Sequence, residues 1–354
     1  MIRVLHFADV INAYDFIDNI VYNCDSSRFY VCLHEMGKRK NLKIIKRELL
    51  LLIAVLKNNK FDILHTHHFI PTVIGIIAAK IAGTKCIVFG RHYSNEFYHI
   101  KNPLKRFAYF QLEKLIHRFV DAIVVPSKMV YKILEKQNAR MDKVHTIHYG
   151  FDFSRFKVSD EQVEEVRKEF QLDGRNVISM IARLVPQKGH GKLLVALQML
   201  PNYLGRFVCL IMGDGPCRKE LENLAMQLGL EGYVKFLGHR PDVLALIAAS
   251  DVVVQPSMQD SFCQVIVEAM AMRTPIVMTR IGAAEEIIED GVSGLLVPQG
   301  DIRSMRDAID DLISNPEYRR ELAEAGYKSI RKLVDIRDIV KITEELYVEL
   351  MEGQ

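Results

Sequence analysis

Two cations and two carboxylates stand at spacings that could do chemistry. Arg183 and Lys188 lie five residues apart in Arg183-Leu184-Val185-Pro186-Gln187-Lys188-Gly189, directly after the apolar run Ser179-Met180-Ile181-Ala182. Two fixed cations in a loop that opens a helix near His190 suit a diphosphate. Asp260 and Glu268 lie eight residues apart in Gln255-Pro256-Ser257-Met258-Gln259-Asp260-Ser261-Phe262-Cys263-Gln264-Val265-Ile266-Val267-Glu268. Each carboxylate can accept two hydroxyl hydrogen bonds, so the pair could grip sugar or ribose hydroxyls. Free backbone N–H groups of Ser261, Phe262, Cys263, Gln264 and Val265, where the next helix begins, would face phosphate.

Other nucleotide chemistries lack their motifs. Gly213-Asp214-Gly215-Pro216 begins like a dinucleotide fingerprint, but Arg218 stands where the third glycine belongs. No G-x-x-x-x-G-K-[ST] occurs, and no D-x-D, so a metal-held diphosphate has no support in the sequence. Neither a cofactor nor a metal is expected. His65, His67 and His68 look like a metal cluster. In an extended segment, however, His65 and His67 share one face and His68 takes the other. They read as strand-end or acceptor-facing residues.

The elements that must carry these loops alternate regularly. Val4–Phe7, Phe29–Leu33, Ile63–His65, Cys86–Phe89, Ala122–Val125 and Val144–His148 read as buried strands with helical patterns between most of them. The rhythm stops around Tyr149-Gly150-Phe151-Asp152. It resumes through Val177–Ile181, Phe207–Met212, Val234–Leu237, Val252–Val254, Pro275–Met278 and Gly294–Val297. Such βαβα order means parallel sheets covered on both faces. The expectation is therefore α/β, two doubly wound domains, residues 1–155 and 156–335, with a last helix, about 336–354, packing back on the first. In such sheets ligands bind at the carboxyl ends of strands, where the loops above fall.

Composition agrees with a folded protein. The chain has 354 residues, 49% hydrophobic and 26% charged, which excludes disordered and fibrous classes. Its longest apolar run, Leu49–Leu56, is far short of the roughly 20 residues that cross a bilayer. The N-terminus does not read as a signal peptide, so a cytoplasmic location is expected. Six scattered cysteines form no C-x-x-C pair and read as small buried residues. The net charge of +3 hides an asymmetry: residues 1–157 carry 25 Lys and Arg against 13 Asp and Glu, and the remainder 22 against 31. The basic half should meet something anionic: an acidic membrane surface, a phosphorylated acceptor, nucleic acid or the acidic half. It has no signature of a nucleic-acid-binding module, so nucleic acid is not expected. Lys38-Arg39-Lys40, Lys43, Lys46 and Arg47 precede Leu49–Leu56. Lys101, Lys105, Arg106, Lys114 and Arg118 alternate with Phe107, Tyr109, Phe110, Leu112, Leu115 and Ile116. Both read as helices with a basic and an apolar face, either resting on anionic lipid or packing on the core.

Taken in order, these motifs resemble retaining glycosyltransferases of family 4, also described as glycosyl transferases group 1. The E-x7-E segment of that family is similar to Pro256-Ser257, Asp260, Phe262-Cys263 and Glu268-Ala269-Met270-Ala271. Its phosphate loop is similar to Arg183-Leu184…Lys188-Gly189, and its G-x-G-P loop to Gly213–Pro216. Gly282, Glu286-Ile287-Ile288, Asp290-Gly291 and Gly294–Pro298 follow its downstream run. Asp62-Ile63-Leu64-His65-Thr66-His67 and Tyr149-Gly150-Phe151-Asp152 resemble elements of its first domain. Three positions depart: Asp260 for the usual Glu, and Cys263 and Arg273 where Gly is usual. Asp9–Asp15 also replaces a Gly-Gly loop.

The resemblance implies the GT-B fold, two Rossmann-like domains with an inter-domain cleft. It implies transfer of a sugar from a UDP or GDP sugar to a hydroxyl of a glycan or lipid-linked acceptor, in polysaccharide or glycolipid synthesis. It assigns Arg183, Lys188, Gly213 and the Ser261–Val265 backbone to the diphosphate, Glu268 to the ribose, Asp260 to the transferred sugar and His92 to a sugar hydroxyl. The departures leave room for a catalytically silent nucleotide-sugar-binding protein. A GT-B epimerase or phosphorylase shares the same plan.

Overall fold

A computed structural model describes residues 1–9, 15–37, 41–94, 100, 102–200 and 207–353. Lys38-Arg39-Lys40, Lys101 and the 10–14 loop lie outside the described residues. The chain forms two compact units: Met1–Asp152 together with Val334–Gln354, and Phe153–Leu333.

The first unit is a six-stranded parallel sheet in the order β2-β1-β3-β4-β5-β6. Its strands are β1 (Ile2–Asp9), β2 (Phe29–Met36), β3 (Ile63–His67), β4 (Cys86–Gly90), β5 (Ala122–Val125) and β6 (Val144–Thr146). Its helices are α1 (Asp15–Asn23), α2 (Leu42–Asn59), α3 (Phe69–Ala82), α4 (Pro103–Phe119), α5 (Lys128–Lys136) and the distant α14 (Ile336–Glu352). Strand periodicity divides the core. Leu5, Phe7, Leu64, Ile87 and Phe89 pack on α2, α3 and α4 through Leu52, Leu56, Ile74, Ala78 and Ile116. Val4, Ile63, Cys86, Val88 and Val124 face the other way, onto Ile339, Leu346 and Tyr347 of α14. The chain leaves and re-enters this unit along one seam: Phe151 N–H donates to the Val334 carbonyl at 2.9 Å, and Ile336 N–H to that of Phe151 at 3.0 Å.

Glu113, Ile116 and His117 are the buried residues of α4, while Leu104, Phe107, Leu115 and Phe119 are exposed among its lysines and arginines. An outward apolar face therefore accompanies an inward polar one. Leu42, Leu50 and Leu51 of α2 are exposed as well.

The second unit repeats the plan in the order β12-β11-β10-β7-β8-β9. It comprises β7 (Asn176–Ile181), β8 (Phe207–Met212), β9 (Val234–Gly238), β10 (Val252–Gln255), β11 (Ile276–Thr279) and β12 (Leu295–Val297). Helices α6 (Asp160–Phe170), α7 (His190–Gln198), α8 (Arg218–Gln227), α9 (Val243–Ala248), α10 (Gln264–Ala271), α11 (Ala284–Ile287), α12 (Ile302–Ser314) and α13 (Pro316–Leu333) surround them. Ile178, Met180, Cys209, Ile211 and Val254 pack on Leu193, Leu197, Met305 and Ile309. On the opposite face, Val177, Val208 and Leu210 meet Val166, Phe170 and Leu246. The order reverses between β7 and β10, which are neighbours in the sheet although far apart in sequence. Open α/β sheets bind ligands at such a switch point.

Candidate nucleotide-sugar site

At the carboxyl ends of β7 and β10, three loops are locked together by backbone. Met258 N–H donates to the Gln187 carbonyl at 2.7 Å, Leu184 N–H to Asp214 at 3.0 Å and Ala182 N–H to Met212 at 3.0 Å. Two glycines permit this closeness. Gly189 has φ +77°, and a Cβ there would lie 2.1 Å from the Pro256 carbonyl oxygen. Gly213 has φ +126°, and its Cβ would lie 2.1 Å from the Ala182 oxygen. Both the left-handed backbone and the missing side chain are required. Gly213, expected to meet phosphate, thus packs its α-carbon against the backbone that leads to Arg183.

Lys188 and Asp260 meet across the switch point, with Nζ 2.5 Å from Oδ2 and side chains 23% and 11% exposed. Burial drags the ammonium down, but the charge of Asp260 and its hydrogen bond outweigh that, and Lys188 is held above its ordinary value. Asp260 takes one of three N–H donors, leaving two for a ligand. Arg183 is exposed on the same loop and forms no ion pair among the described residues; its charge reaches Lys188.

The segment after Asp260 turns into α10. Cys263, where a glycine is usual in the resembling family, stands at the N-cap without a side-chain capping bond. It is 5% exposed, and burial followed by the charge of Asp260 pushes its thiol up to about 12. The first bond in the helix runs from Ile266 N–H to the Cys263 carbonyl at 3.1 Å, which leaves the N–H groups of Gln264 and Val265 without a backbone partner among the described residues. Ser261 is half-buried and Phe262 buried in the preceding loop. Glu268, half-buried on the second turn, lies close enough for its charge to act on Cys263. The structure therefore gathers Arg183, Lys188, Asp260, Cys263 and Glu268 around the start of one helix. After α10, Arg273 adopts φ +53°, the conformation a glycine would take freely. Its guanidinium lies 3.6 Å from the Tyr327 ring centroid and pairs with Glu324 at 3.1 Å.

His92 belongs to the first unit, in the loop after β4. Its Nδ1 lies 3.1 Å from the Tyr149 hydroxyl and its Nε2 2.8 Å from His67 Nδ1, so both ring nitrogens are engaged within the unit. His65 and His67 share one face of β3, with His67 at the strand's end, and both are buried, at 2% and 1% exposure. Register places His6 of β1 beside His65. His6 escaped the sequence reading, although it sits two residues after Val4 and shares its face. Tyr347 had no sequence signal at all.

Residues 162–329 match the family described as Glycosyl transferases group 1, and residues 27–155 match Glycosyltransferase Family 4. EpsD of Bacillus subtilis, named for a glycosyltransferase, is 26% identical over 84% of this chain and 79% of its own length. An Escherichia coli enzyme named UDP-Gal:alpha-D-GlcNAc-diphosphoundecaprenol alpha-1,3-galactosyltransferase is 26% identical, covering 85% of this chain and 81% of its own. The crystal structure of HepE from Anabaena in complex with UDP-glucose superposes with a TM-score of 0.84 at 22% identity, covering 100% of both chains.

Proposed function

The chain belongs to the group 1 and family 4 glycosyltransferases and has the GT-B fold, and from that premise we propose that it transfers a hexose from a UDP sugar to a hydroxyl of a lipid-linked or glycan acceptor, with retention of anomeric configuration. The observation that carries this reading is the Lys188–Asp260 contact beside the Gln264 and Val265 amides, which have no backbone partner among the described residues. As the glycosidic bond breaks, negative charge grows on the diphosphate. Preorganised donors that need no rearrangement stabilise that charge best. Arg183 and the two remaining donors of Lys188 hold it, with the Gln264 and Val265 amides behind them. Asp260, anchored by Lys188, accepts a hydroxyl of the transferred sugar, and Glu268 takes the ribose hydroxyls. Gly213 serves by letting the Arg183 loop close. UDP is favoured as the nucleotide because the named donor of the Escherichia coli relative and the ligand of HepE both carry it. That relative's diphosphoundecaprenol acceptor supports a lipid-linked one here.

No helix among the described residues is long and apolar enough to cross a membrane. The exposed Leu104, Phe107, Leu115 and Phe119 of α4, set among Lys105, Arg106, Lys114 and Arg118, suit an anionic lipid surface on which such an acceptor is presented.

The test is transfer from a panel of UDP and GDP hexoses to undecaprenyl-diphosphate sugars, with the anomeric centre of the product read by NMR. An α-linked product from an α-linked UDP donor is expected. Inversion overturns retention, and full turnover by folded Lys188→Ala overturns the site.

A further inference from the structure

At the switch point the two central strands part before they end. β7 stays paired with β8 as far as Ile181, and β10 with β11 as far as Gln255, but the pairing of β7 with β10 stops at Ser179 and Val253. The last two residues of each strand therefore flank a gap, and the loops carrying Lys188 and Asp260 leave from its two sides. Gln255 spans it. Its side chain, on a residue 1% exposed, donates from Nε2 to the Ile181 carbonyl at 3.1 Å. A buried amide needs a partner, and here it takes the place of the ladder bond that the diverging strands no longer make.

The link is fixed at both ends. The peptide that carries the Ile181 carbonyl also donates its N–H, that of Ala182, to Met212 at 3.0 Å. On the other side, the buried Thr279 hydroxyl of β11 donates to the Ser257 carbonyl at 2.6 Å. Further along, the two loops touch through backbone, at Met258 with Gln187 and at Gly189 with Pro256. Lys188 then meets Asp260, seven residues beyond Ile181 and five beyond Gln255. The ion pair thus stands on a series of cross-links whose first member is a side chain.

We infer that Gln255 is a positioning residue for the diphosphate: by holding the Ile181 carbonyl across the gap it sets the separation at which Lys188 and Asp260 meet, and with it the aim of the two lysine donors left for phosphate. The diphosphate rests on the proposed transfer reaction; the coupling of Gln255 to the Lys188–Asp260 contact does not. A displacement of about 1 Å at a positioned group can cost about a hundredfold, so losing this link should cost at least tenfold.

The experiment is a double-mutant cycle on the full chain. Gln255→Met keeps the length of the side chain and removes its donor. By calorimetry it should weaken UDP at least tenfold. Uridine, which has no phosphate, should bind within about twofold of the parent by NMR titration. UDP binding left unchanged, or an equal loss for uridine, would overturn the assignment, because general damage to the fold weakens both ligands alike. In a Lys188→Ala background the same change should cost UDP less than twofold, and a full tenfold loss there would show Gln255 acting apart from Lys188. Urea midpoints carry the cycle without nucleotide. Lys188→Ala strands Asp260 and should lower the parent's midpoint, but should lower that of Gln255→Met by less than half as much. Equal shifts, or none in the parent, overturn the coupling. A parent that binds no UDP while the urea cycle behaves as stated would sink the donor reading and leave the coupling intact. Should Gln255→Met not fold, Gln255→Asn, one methylene too short to reach Ile181, is read the same way.

Discussion

Arg91 Nε lies 2.8 Å from Glu113 Oε1, with both side chains 1% exposed, directly beside His92. The same guanidinium donates to the carbonyls of Tyr93 at 2.7 Å and Ser94 at 3.3 Å, and Tyr93 Oη donates to Glu113 at 2.7 Å. One carboxylate of α4 therefore shapes the whole exit from β4. Glu113→Ala strands a buried cation and should destabilise the protein by about 3–5 kcal/mol. Urea denaturation of Arg91→Met with Glu113→Leu should recover most of that loss, because removing both charges removes the desolvation penalty too.

Lys188 and Asp260 should separate binding from turnover. Losing a charged hydrogen-bond donor costs about 1.5–3 kcal/mol, so Lys188→Ala should weaken UDP by roughly 10- to 100-fold. Asp260→Asn removes the internal competitor for that ammonium, so UDP should bind at least as tightly while turnover falls. Calorimetry beside a transfer assay checks both. Tighter UDP binding by Lys188→Ala would contradict the assignment.

Gly189→Ala should be worse than a surface change of the same size. The new methyl meets the Pro256 carbonyl across the switch point in a backbone conformation alanine resists. Loss of nucleotide binding together with a Tm drop of several degrees is expected, whereas Gly174→Ala, at a similar φ of +73° with nothing near its Cβ, should cost stability alone.

Acid should destabilise the protein before its carboxylates titrate. Burial, then the charge of Lys188, pushes His190 down to about 4, and burial pushes His6 to about 3, from an ordinary 6.5. Below pH 6.5 the unfolded chain binds protons that the native one refuses. Stability is thus fully present above 6.5 and falls by about 1.4 kcal/mol per pH unit for each such histidine. The urea midpoint, followed from pH 7.5 to 5, should drop, and His190→Leu should flatten the slope by one histidine's share.

Leu104→Ser with Phe107→Ser should abolish flotation with vesicles rich in anionic lipid while leaving activity on a soluble acceptor unchanged. Raising salt should weaken the parent's binding, since screening acts on the lysines and arginines of α4.

Strands were legible because parallel sheets are covered on both faces, so Cys86–Gly90 is apolar throughout and Val252–Gln255 is apolar up to its last residue. The loops were legible because Arg183, Lys188 and Asp260 follow such strands directly. The sequence did not reveal the Lys188–Asp260 pairing, since a spacing of 72 residues carries no geometry until β7 and β10 become neighbours. At Gly213 the structure adds a second need for glycine, room for the Ala182 backbone, which the spacing alone does not show. On α4 the sequence leaves the apolar residues either core-facing or lipid-facing; in the structure Glu113 pairs with buried Arg91, and Leu104 and Phe107 lie outside.

Because α14 supplies Tyr347 from a position 341 residues after His6, the first unit cannot finish folding in the order in which it is synthesised. Its sheet emerges from the ribosome early, with the imidazoles of β1 and β3 still wet, and stays uncapped while the entire second unit is translated. Any stop codon before Ile336 would thus release a chain whose second half is sound and whose first half is open along one face.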